Sequence, residues 1–554
     1  MKKWITLLLL AALALTMLSA CGKVSEEAPV SGGDGIGIDE ETVAAVDVST
    51  KADNHLDALL TSEPSSLDCA RFLGIVDRTI LHSVTEPLTR IENGIVTEAG
   101  AESFEVSEDG LVYTFHLREN HWSDGVPVTA NDYVCALLRQ SDPANAWSFA
   151  SDFFCVEGFE ERYNGEDRAI GAAALDDDTL VITLNAPNPA FLSTVDIFPC
   201  RQDMVDQFGD AYGAEAESVL SCGPFTLDSW VHNSALEFSK NELYWDAANV
   251  ALDGFTDHII TDEGAQMSSL ENGSLDYAAV SAQEYADTFA KREDMYELRI
   301  TTDRTAMIVF NCEDELFQNA KVRLAFSLAL DRDLIVEIVA HGLGEPAFGL
   351  VPTVCYVGDV NFREVTPEPL RALAEQYPDP KALLAEGMEE LGLGSDPAAL
   401  TVTLSYGGTD ATARTNAELY QQMWQYALGV TVEVSGNDSA THLANVREGS
   451  YQIATVAWGS TYEPQFQLSR WATPTGGQSR WVNEEYVGLV SGGSADTDDA
   501  GRLAAYQQAE ALLIGEAAIA PTYYNESRTF AYNYVSGIPE NPFDTTGMKT
   551  LAVN

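Results

Sequence analysis

The sequence predicts a mixed α/β protein made of two or three lobes. The chain has 554 residues, which is too long for one hydrophobic core, and 45% of its residues are hydrophobic, as in a globular protein. Some segments alternate apolar with polar residues, and others repeat apolar residues at helical spacing, mostly in the C-terminal half. The chain shows no internal repeat.

Two strands are predicted in the N-terminal half, and each follows a turn. Ser107–Gly110 has turn composition, and apolar residues alternate behind it from Leu111 to Leu117. Asp176–Asp178 forms a second turn, which leads into a strand containing Leu180 and Ile182. The acidic triplet lacks the alternating oxygen ligands, the glycine and the closing glutamate of a calcium loop, so we interpret it as turn chemistry.

Three helices are predicted in the C-terminal half. The first contains Val322 to Ala329, the second begins at Pro380 and stops at Gly392, and the third runs from Ala411 to Leu428. In the third helix we expect three side chains to face the core, namely Leu419, Met423 and Tyr426. Gly429 ends this helix, and a strand follows with Val430, Val432 and Val434. A helix, a glycine stop and an alternating strand are the parts of an α/β lobe.

The N-terminus predicts a secretory signal that ends at a lipid-attachment cysteine. Two lysines precede an apolar stretch from Trp4 to Leu18, which is too short to span a bilayer comfortably. The small residue directly before Cys21 resembles the bacterial lipobox, in which the thiol is acylated and the cysteine becomes the new N-terminus. We therefore expect residues 1–20 to be a signal peptide and Cys21 to carry fatty acyl chains such as palmitate.

The segment after this cysteine predicts a tether. Residues 22–50 are rich in Gly, Ser, Glu and Asp and contain few large apolar side chains, so they cannot offset the entropy of ordering. We expect residues 21–50 to be the acylated cysteine and a flexible linker. No later stretch approaches eighteen consecutive apolar residues, so we expect the remainder to lie outside the membrane, on the extracytoplasmic face of a bacterial cell.

Acidic residues dominate the charge of the chain. It has 86 Asp and Glu against 30 Lys and Arg, a formal net charge of −56. We expect no nucleic-acid partner, because phosphate binding needs clustered cations that this chain lacks. Two interpretations of the acidity stay open: a solvated, self-repelling surface, or steering of cationic ligands into a cleft, which requires the charges to line that cleft.

Seven cysteines remain after the proposed lipid site, which is an odd number. An extracytoplasmic location permits disulfides, but at least one thiol must stay free or pair elsewhere. Two candidate pairs lie close together in the sequence, Cys200 with Cys222 and Cys135 with Cys155, and the connectivity stays open. No C-x-x-C motif occurs, so a zinc ribbon or a thioredoxin-like site is not supported.

Catalytic motifs are scarce, which argues against an enzyme. The chain contains no H-E-x-x-H, no G-x-S-x-G, no P-loop and no Rossmann glycine signature, and nothing in it calls for a cofactor or a metal. His116 and His121 lie close in sequence, but surface and turn histidines at such spacing are far commoner than a metal pair. Pairs of carboxylates do not indicate a general acid–base site in a chain this acidic, because such pairs are expected by chance.

An aromatic segment is the best candidate for a binding site. Trp458 to Pro464 (WGSTYEP) follows an alternating run through Tyr451, Ile453 and Thr455, so it lies where a strand leaves a lobe and turns. Flat rings beside exposed backbone donors and acceptors are the ingredients of a ligand cleft, and core packing is the alternative.

Several segments together resemble the oligopeptide- and dipeptide-binding family, the large extracytoplasmic solute-binding proteins of ABC importers. Thr85 to Arg90 (TEPLTR) resembles an early family motif, and Ala101 to Val134 is similar throughout to the family signature region. Further matches run in family order: ALDDDTLVITLNAPNPAFL from Ala174, CGPFTLDSW from Cys222, NELYWD from Asn241, KVRLAFSLALDRDLIVEIV from Lys321 and AIAPTYYNESR from Ala518.

This resemblance implies an α/β, two-lobed periplasmic-binding-protein-like clamp of type II with an additional domain, which closes on its ligand by hinge motion. Lobe I would be discontinuous, comprising residues 51–100, 200–305 and 515–554. The additional domain would be residues 101–199, inserted in lobe I, and lobe II would be residues 306–514. In relatives that bind peptides, the ligand lies as an extended strand between the lobes and bonds to protein main chain.

The resemblance also implies site residues, and one of them departs from the family pattern. We expect Trp458 to stack on the ligand, Gly459 to offer backbone hydrogen bonds and Tyr462 to line the cleft. Three further residues match family positions and are expected to contact the ligand: Cys222, Gly223 and Tyr524. In peptide binders an Asp in this segment captures the peptide ammonium, but the matching position here is Thr461, whose hydroxyl cannot replace a carboxylate.

Because Thr461 replaces the family's Asp, the sequence does not decide the identity of the ligand. Glu463 would substitute for the missing carboxylate only if the loop, one residue shorter than in peptide binders, turns differently. Thr455 also lacks the charge of an Arg that neutralises a short peptide's carboxylate in some relatives. A peptide, a sugar, a metal chelate or a modified peptide therefore stays possible.

The function expected from these observations is capture of a small solute or peptide by a lipid-anchored, monomeric receptor that delivers it to an ABC permease in the membrane. One alternative is a solute sensor on the same fold that is not coupled to import. The other is an anchored extracellular hydrolase, which turnover of peptide or ester libraries would reveal.

Overall fold

The computed structural model describes residues 51–473 and 475–554. The predicted signal peptide, Cys21 and the linker to residue 50 lie outside the described residues. Within the described part of the chain, no helix combines the length and apolar character needed to cross a membrane.

Lobe I contains two four-stranded sheets that share one hydrophobic core. The first sheet has one parallel pair and two antiparallel pairs, in the order His55–Leu60, Gly254–Ile259, Ala235–Lys240, Phe225–Val231. The second sheet is antiparallel throughout, in the order Ala101–Val106, Val112–Leu117, Thr179–Thr183, Ala172–Ala174.

The two N-terminal strand predictions are confirmed in this second sheet. In Val112–Leu117 the inward residues Tyr113, Phe115 and Leu117 are buried, as the alternation requires. In the turn before this strand, Gly110 adopts a φ of +70° and its N–H donates to the Ser107 carbonyl at 2.8 Å. Glycine suits this position because side chains disfavour positive φ.

Lobe II has its own core around a seven-stranded mixed sheet. Six strands follow one another in the order Tyr277–Ala279, Ile519–Tyr532, Met295–Phe310, Ile453–Gly459, Thr401–Gly407, Thr431–Asn437, and Gly344–Pro346 pairs with the second of them. Three small antiparallel pairs complete the strands: Thr89–Glu92 with Ile95–Glu98, Tyr356–Val357 with Val360–Asn361, and Val535–Ser536 with Ala552–Val553.

Two long strands of this sheet join the lobes. Met295–Phe310 begins in the lobe I core and ends in the lobe II core, and Ile519–Tyr532 runs the opposite way beside it. We call them the crossing strands. The chain is therefore a two-lobed α/β clamp, the predicted fold class. The exact division into a discontinuous lobe I and an inserted domain at 101–199 stays a prediction.

Helices cover the sheets of both lobes. In lobe I they are Ile75–Val84, Ala130–Gln140, Phe159–Tyr163, Phe191–Thr194, Gln202–Phe208, Glu263–Glu271 and Gln283–Phe289. In the second half of the chain they are Ala320–Leu328, Arg332–Ile338, Phe362–Val365, Pro369–Gln376, Pro380–Glu390, Ala411–Leu428, Ser439–Glu448, Gln465–Ser469, Glu484–Ala495 and Asp499–Gly515.

The three predicted helices are confirmed, but one predicted core residue is wrong. Helix Ala411–Leu428 ends at Gly429, whose φ is +81°, and it buries Leu419 and Met423. Tyr426 is 77% exposed instead. Successive residues turn by roughly 100° around a helix, and the buried face is centred on Tyr420 and Trp424, which leaves Tyr426 beyond its edge.

The cysteines of residues 51–554 are all free thiols in the structure. Cys135 Sγ donates to Gln202 Oε1 at 3.4 Å, and Cys200 Sγ accepts from Arg139 Nη1 at 3.9 Å. Neither pair offered from sequence proximity is therefore present among the described residues.

Candidate functional site

The aromatic segment lies at the joint between the lobes. Strand Ile453–Gly459 pairs with the crossing strand Met295–Phe310 and ends at Gly459, so the chain turns at the edge of the lobe II sheet. Trp458 and residues 460–463 line three cavities. We call these the lobe II cavity, the hinge cavity and the outer cavity, with volumes of about 420, 420 and 480 Å³ respectively.

Trp458 faces the lobe II cavity and is held from two sides. Its indole Nε1 donates to Gln478 Oε1 at 2.9 Å, and the Arg470 guanidinium lies 4.4 Å from the ring centroid. Arg304 and His442 line the same cavity. Because the hydrogen bond and the cation–π contact fix the ring, it presents a rigid flat surface to the cavity.

Thr461 and Tyr462 line the hinge cavity. The Thr461 hydroxyl is only weakly engaged, 3.4 Å from the Glu463 carbonyl. Tyr462 is almost fully buried; its ring stacks on Tyr356 at 5.6 Å and its hydroxyl donates to the Gly358 carbonyl at 3.0 Å. These contacts hold Tyr462 in place and leave the Thr461 hydroxyl as the adaptable polar group.

The hinge cavity lies between the lobes. Lobe I contributes helix Ile75–Val84, the crossing strand contributes Asp303, the aromatic segment contributes residues 460–462, and a C-terminal segment contributes Phe543 and Asp544. The Tyr462 and Phe543 rings form an edge-to-face pair with centroids 6.4 Å apart. A cavity lined by both halves of a clamp changes shape when the halves move.

A charge network occupies the lobe I side of this cavity. Arg78 forms an ion pair with Asp196, and His82 Nε2 lies 3.2 Å from the same carboxylate. Burial alone would raise the pKa of Asp196, but the charges of His82 and Arg78 hold that pKa well below its ordinary value. Arg78 is thus already neutralised by a protein carboxylate.

Glu463 is also committed to a protein partner. Its side chain and that of Arg502 are 4% and 3% exposed, and Arg502 Nη2 donates to Glu463 Oε1 at 3.1 Å. Arg502 Nη2 also donates to Asp499 at 2.7 Å. Burial raises the pKa of Glu463, and the Arg502 charge opposes this shift. A ligand cation would have to compete with Arg502 for this carboxylate.

The Asp303 carboxylate lies against the turn of the aromatic segment. The Ser460 N–H donates to the Asp303 carbonyl at 2.9 Å, and the Asp303 side chain lies against Gly459. A Cβ at residue 459 would overlap Asp303 Oδ2, so only glycine permits this approach. Burial raises the pKa of Asp303, and Arg304 partly opposes the shift.

The remaining predicted site residues are surrounded by protein. The Cys222 and Gly223 N–H groups donate to the Val84 carbonyl at 2.9 and 3.0 Å, and a Cβ on Gly223 would meet the backbone of Thr85. Tyr524 is 1% exposed, and its hydroxyl donates to the Gly349 carbonyl at 3.1 Å. Ligand contact by these three residues stays a prediction.

Sequence reasoning missed Asp303, Arg78 and Phe543 as residues of the hinge cavity. The sequence carried one signal for the first of them: Asp303 and Arg304 interrupt a run of β-forming residues (RITTDRTAMIVF). Charged residues inside such a run mark either an exposed face or a bulge. Arg78 and Phe543 gave no comparable signal.

Two separately cored α/β lobes, joined by crossing strands and enclosing a cavity at the joint, define a hinged solute-binding clamp. The chain belongs to the bacterial extracellular solute-binding proteins, family 5: the model of this family's middle region matches residues 96–479.

Curated and solved relatives agree with this assignment. The chain is 30% identical over 500 residues to the dipeptide-binding protein DppE of Bacillus subtilis, covering 88% of this chain and 90% of that protein. Its structure superposes on the unliganded open form of MppA, a periplasmic murein tripeptide-binding protein, with a TM-score of 0.81 and 25% identity, covering 91% and 98% of the two chains.

A peptide complex gives a weaker superposition. Haemophilus influenzae OppA in complex with RPPGFSPFR matches with a TM-score of 0.63 at 24% identity, covering 91% of this chain and 99% of that chain. At this identity the likeness shows a shared fold.

Proposed function

We propose that this protein is the lipid-anchored substrate-binding protein of an ABC importer, and that it captures peptides or a related small solute between its lobes. The observation that carries the proposal is the hinge cavity: lobe I, the crossing strand and the aromatic segment all contribute to it. Ligand bound there would contact both halves and so favour the closed clamp.

The residues proposed to contact ligand are those of the aromatic segment. Trp458 supplies a fixed ring, Gly459 supplies backbone groups, Thr461 supplies a hydroxyl and Tyr462 supplies a wall of the cavity. The binding proteins among its relatives support a binding role without chemical conversion of the ligand. Membrane attachment through Cys21 and delivery to a permease complete the proposal.

Ligand capture can be tested without knowing the ligand. The protein from residue 22 onward, which lacks the signal peptide and Cys21, is incubated with pools of two- to five-residue peptides, and bound molecules are identified by native mass spectrometry. Small-angle scattering then measures whether the radius of gyration falls on binding, as closure requires. Hydrolysis products in place of intact bound peptide, or binding without closure, would contradict the proposal.

The anchor needs a separate test, because it lies outside the described residues. The full-length chain and its Cys21→Ala variant are expressed in a bacterium, and membrane and soluble fractions are compared. We expect the wild-type protein in the membrane fraction, with an acylated N-terminal peptide detected by mass spectrometry, and the variant without that modification. An unmodified Cys21 in the mature wild-type protein would refute the anchor and leave the binding function intact.

A further inference from the structure

Asp303 lines the hinge cavity without a cationic partner among the described residues. In the part of the chain that the structure describes, no Lys, Arg or His forms an ion pair with Asp303; burial raises the pKa of its carboxyl, and the charge of Arg304, its own N–H and the Ser460 N–H oppose the shift. The Arg304 Nη2 atom instead donates to the Ala457 carbonyl at 3.2 Å, on the side of the lobe II cavity.

The other charged groups of the hinge cavity are satisfied. Arg78 and His82 both interact with Asp196. Asp544 accepts hydrogen bonds from the Asn93 N–H at 3.0 Å and the Thr546 N–H at 2.9 Å. Around this cavity the carboxylates of Asp196, Asp303 and Asp544 outnumber the one permanent cation, Arg78. Arg78 pairs with Asp196 and backbone N–H groups hold Asp544, which leaves Asp303 as the carboxylate best placed to take a ligand cation.

A backbone irregularity aims this carboxylate at the cavity. In the crossing strand, Thr301 pairs with Glu526 and Thr305 pairs with Tyr524, so three residues of one strand lie opposite one residue of the other. Such a bulge re-aims the side chains within it. Asp303 lies in the bulge, and the missing side chain of Gly459 gives its carboxylate the space it occupies.

The surroundings of Asp303 suit a ligand cation. A half-buried carboxylate without a cationic partner is costly, and a cationic N–H donor provides a short, charge-assisted hydrogen bond in return. The Thr461 hydroxyl lines the same cavity and can accept a second N–H, and the Tyr462 and Phe543 side chains line it as well. Glu463 is less suitable because Arg502 already neutralises it.

We propose that Asp303 binds the cationic group of the ligand, a primary ammonium such as the amino terminus of a peptide, with Thr461 as the second acceptor. This inference rests on the proposed function, because it assigns a ligand charge to the same cavity. It also supplies a physical role for Gly459 and explains how the site can select a cation without a carboxylate at residue 461.

The test compares three probe sets on the mature protein by calorimetry and ligand-induced change in Tm. The sets are tri- to pentapeptides with free amino termini, the same peptides N-acetylated, and non-peptide amines such as spermidine. Wild-type protein is expected to bind free-amine peptides at least roughly 30-fold tighter than acetylated ones, a typical result of removing one partner of a buried charge pair.

Asp303→Asn removes the charge and keeps the shape of the side chain, so it is expected to lower the affinity for free-amine peptides by roughly 30-fold or more. Glu297→Gln is the matched control, because Glu297 lies on the same crossing strand and pairs with Arg299 at 2.9 Å away from the cavity. It should bind like the wild type. Adding Thr461→Asp to Asp303→Asn should restore part of the affinity.

The outcomes separate the two proposals. Equal binding of free and acetylated peptides, or Asp303→Asn binding like the wild type, would overturn the role of Asp303 and leave peptide capture intact. Binding of amines alone, lost in Asp303→Asn, would support Asp303 and overturn peptide capture. Binding of none of the three sets would overturn both. Circular dichroism and the ligand-free Tm of each variant establish that it is folded.

Discussion

Two carboxylates beside the aromatic segment have opposite environments. Glu463 belongs to the segment itself, is buried and is paired with Arg502 at 3.1 Å. Asp303 comes from the crossing strand, is half-buried at the hinge cavity and has no ion-pair partner among the described residues. The first is part of the protein's own structure, whereas the second is available to a ligand.

The difference teaches that sequence proximity to a missing anchor is a poor guide to its replacement. Glu463 lies two residues after Thr461, yet its charge is compensated within the protein. Asp303 lies far away in sequence and reaches the site only because two strands pair and Gly459 leaves room. Whether a charged side chain is available to bind a ligand depends on which groups neutralise it in the folded structure.

The largest effect is expected from removing the partner of Glu463. Arg502→Leu leaves a buried carboxylate without compensation, which should lower the free energy of unfolding by about 3–5 kcal/mol. Denaturant unfolding at neutral pH measures this loss. Replacing both residues with leucine is the control, and that double variant should lie much closer to the wild type, because it buries no charge.

The pH dependence of Arg502→Leu has a definite sign. Burial raises the pKa of Glu463 above its ordinary value of 4.5, and the variant lacks the opposing charge of Arg502. The folded state therefore takes up a proton at a higher pH than the unfolded state, so the loss should be full at neutral pH and should shrink as pH falls toward 4.5. A loss independent of pH would show that packing, not charge, holds this pair.

A smaller effect on stability, but a clear effect on binding, is expected at Gly459. In Gly459→Ala the new Cβ overlaps the Asp303 carboxylate, which is the movable end of a side chain. We expect the free energy of unfolding to change by less than about 1 kcal/mol, and the affinity for free-amine peptides to fall roughly tenfold, about 1.4 kcal/mol.

Gly488→Ala is the control for this prediction. Gly488 is an exposed position in helix Glu484–Ala495, and no atom lies within 4 Å of the place a Cβ would take. Alanine should stabilise the helix by roughly 0.5–1 kcal/mol without changing peptide affinity. Unchanged affinity in Gly459→Ala would show that the position of Asp303 does not matter for binding.

Much of the fold was predictable because its signals are local. Helix Ala411–Leu428 was placed correctly from its apolar spacing and Gly429, and the structure adds an N-cap, Asp410, which accepts from the Ala413 N–H at 2.9 Å. The orientation of Tyr426 was not predictable in the same way. Which face of a helix is buried depends on the neighbouring sheet. The apolar spacing of one helix is compatible with more than one position for the centre of its buried face.

The candidate site was predictable only in part. The aromatic segment could be placed at a strand end from alternation and turn residues, and it lies at the joint of the lobes. Asp303 could not be placed there, because its position depends on a bulge and on pairing between distant strands. The pairing of Glu463 with Arg502 likewise joins a turn to a distant helix.

The smallest effect on the free energy of unfolding is expected from Asp303→Asn without ligand. This variant should gain stability, whereas loss of the Glu463 partner in Arg502→Leu should lower it, and the opposite signs distinguish the two carboxylates. Burial raises the pKa of Asp303, so ionisation slightly destabilises the folded wild-type protein at neutral pH. The variant should therefore be more stable at pH 7 by less than about 1 kcal/mol, a small value because the group is half exposed to water. The difference in stability between variant and wild type should close as pH falls below the raised folded pKa toward the ordinary value of 3.8, since the wild type then takes up its proton.

Denaturant unfolding at several pH values measures this difference. A variant less stable than the wild type at pH 7 would mean that Asp303, like Glu463, has a structural partner. Saturating free-amine peptide should reverse the order, because only the wild-type carboxylate gains a bond to the ammonium.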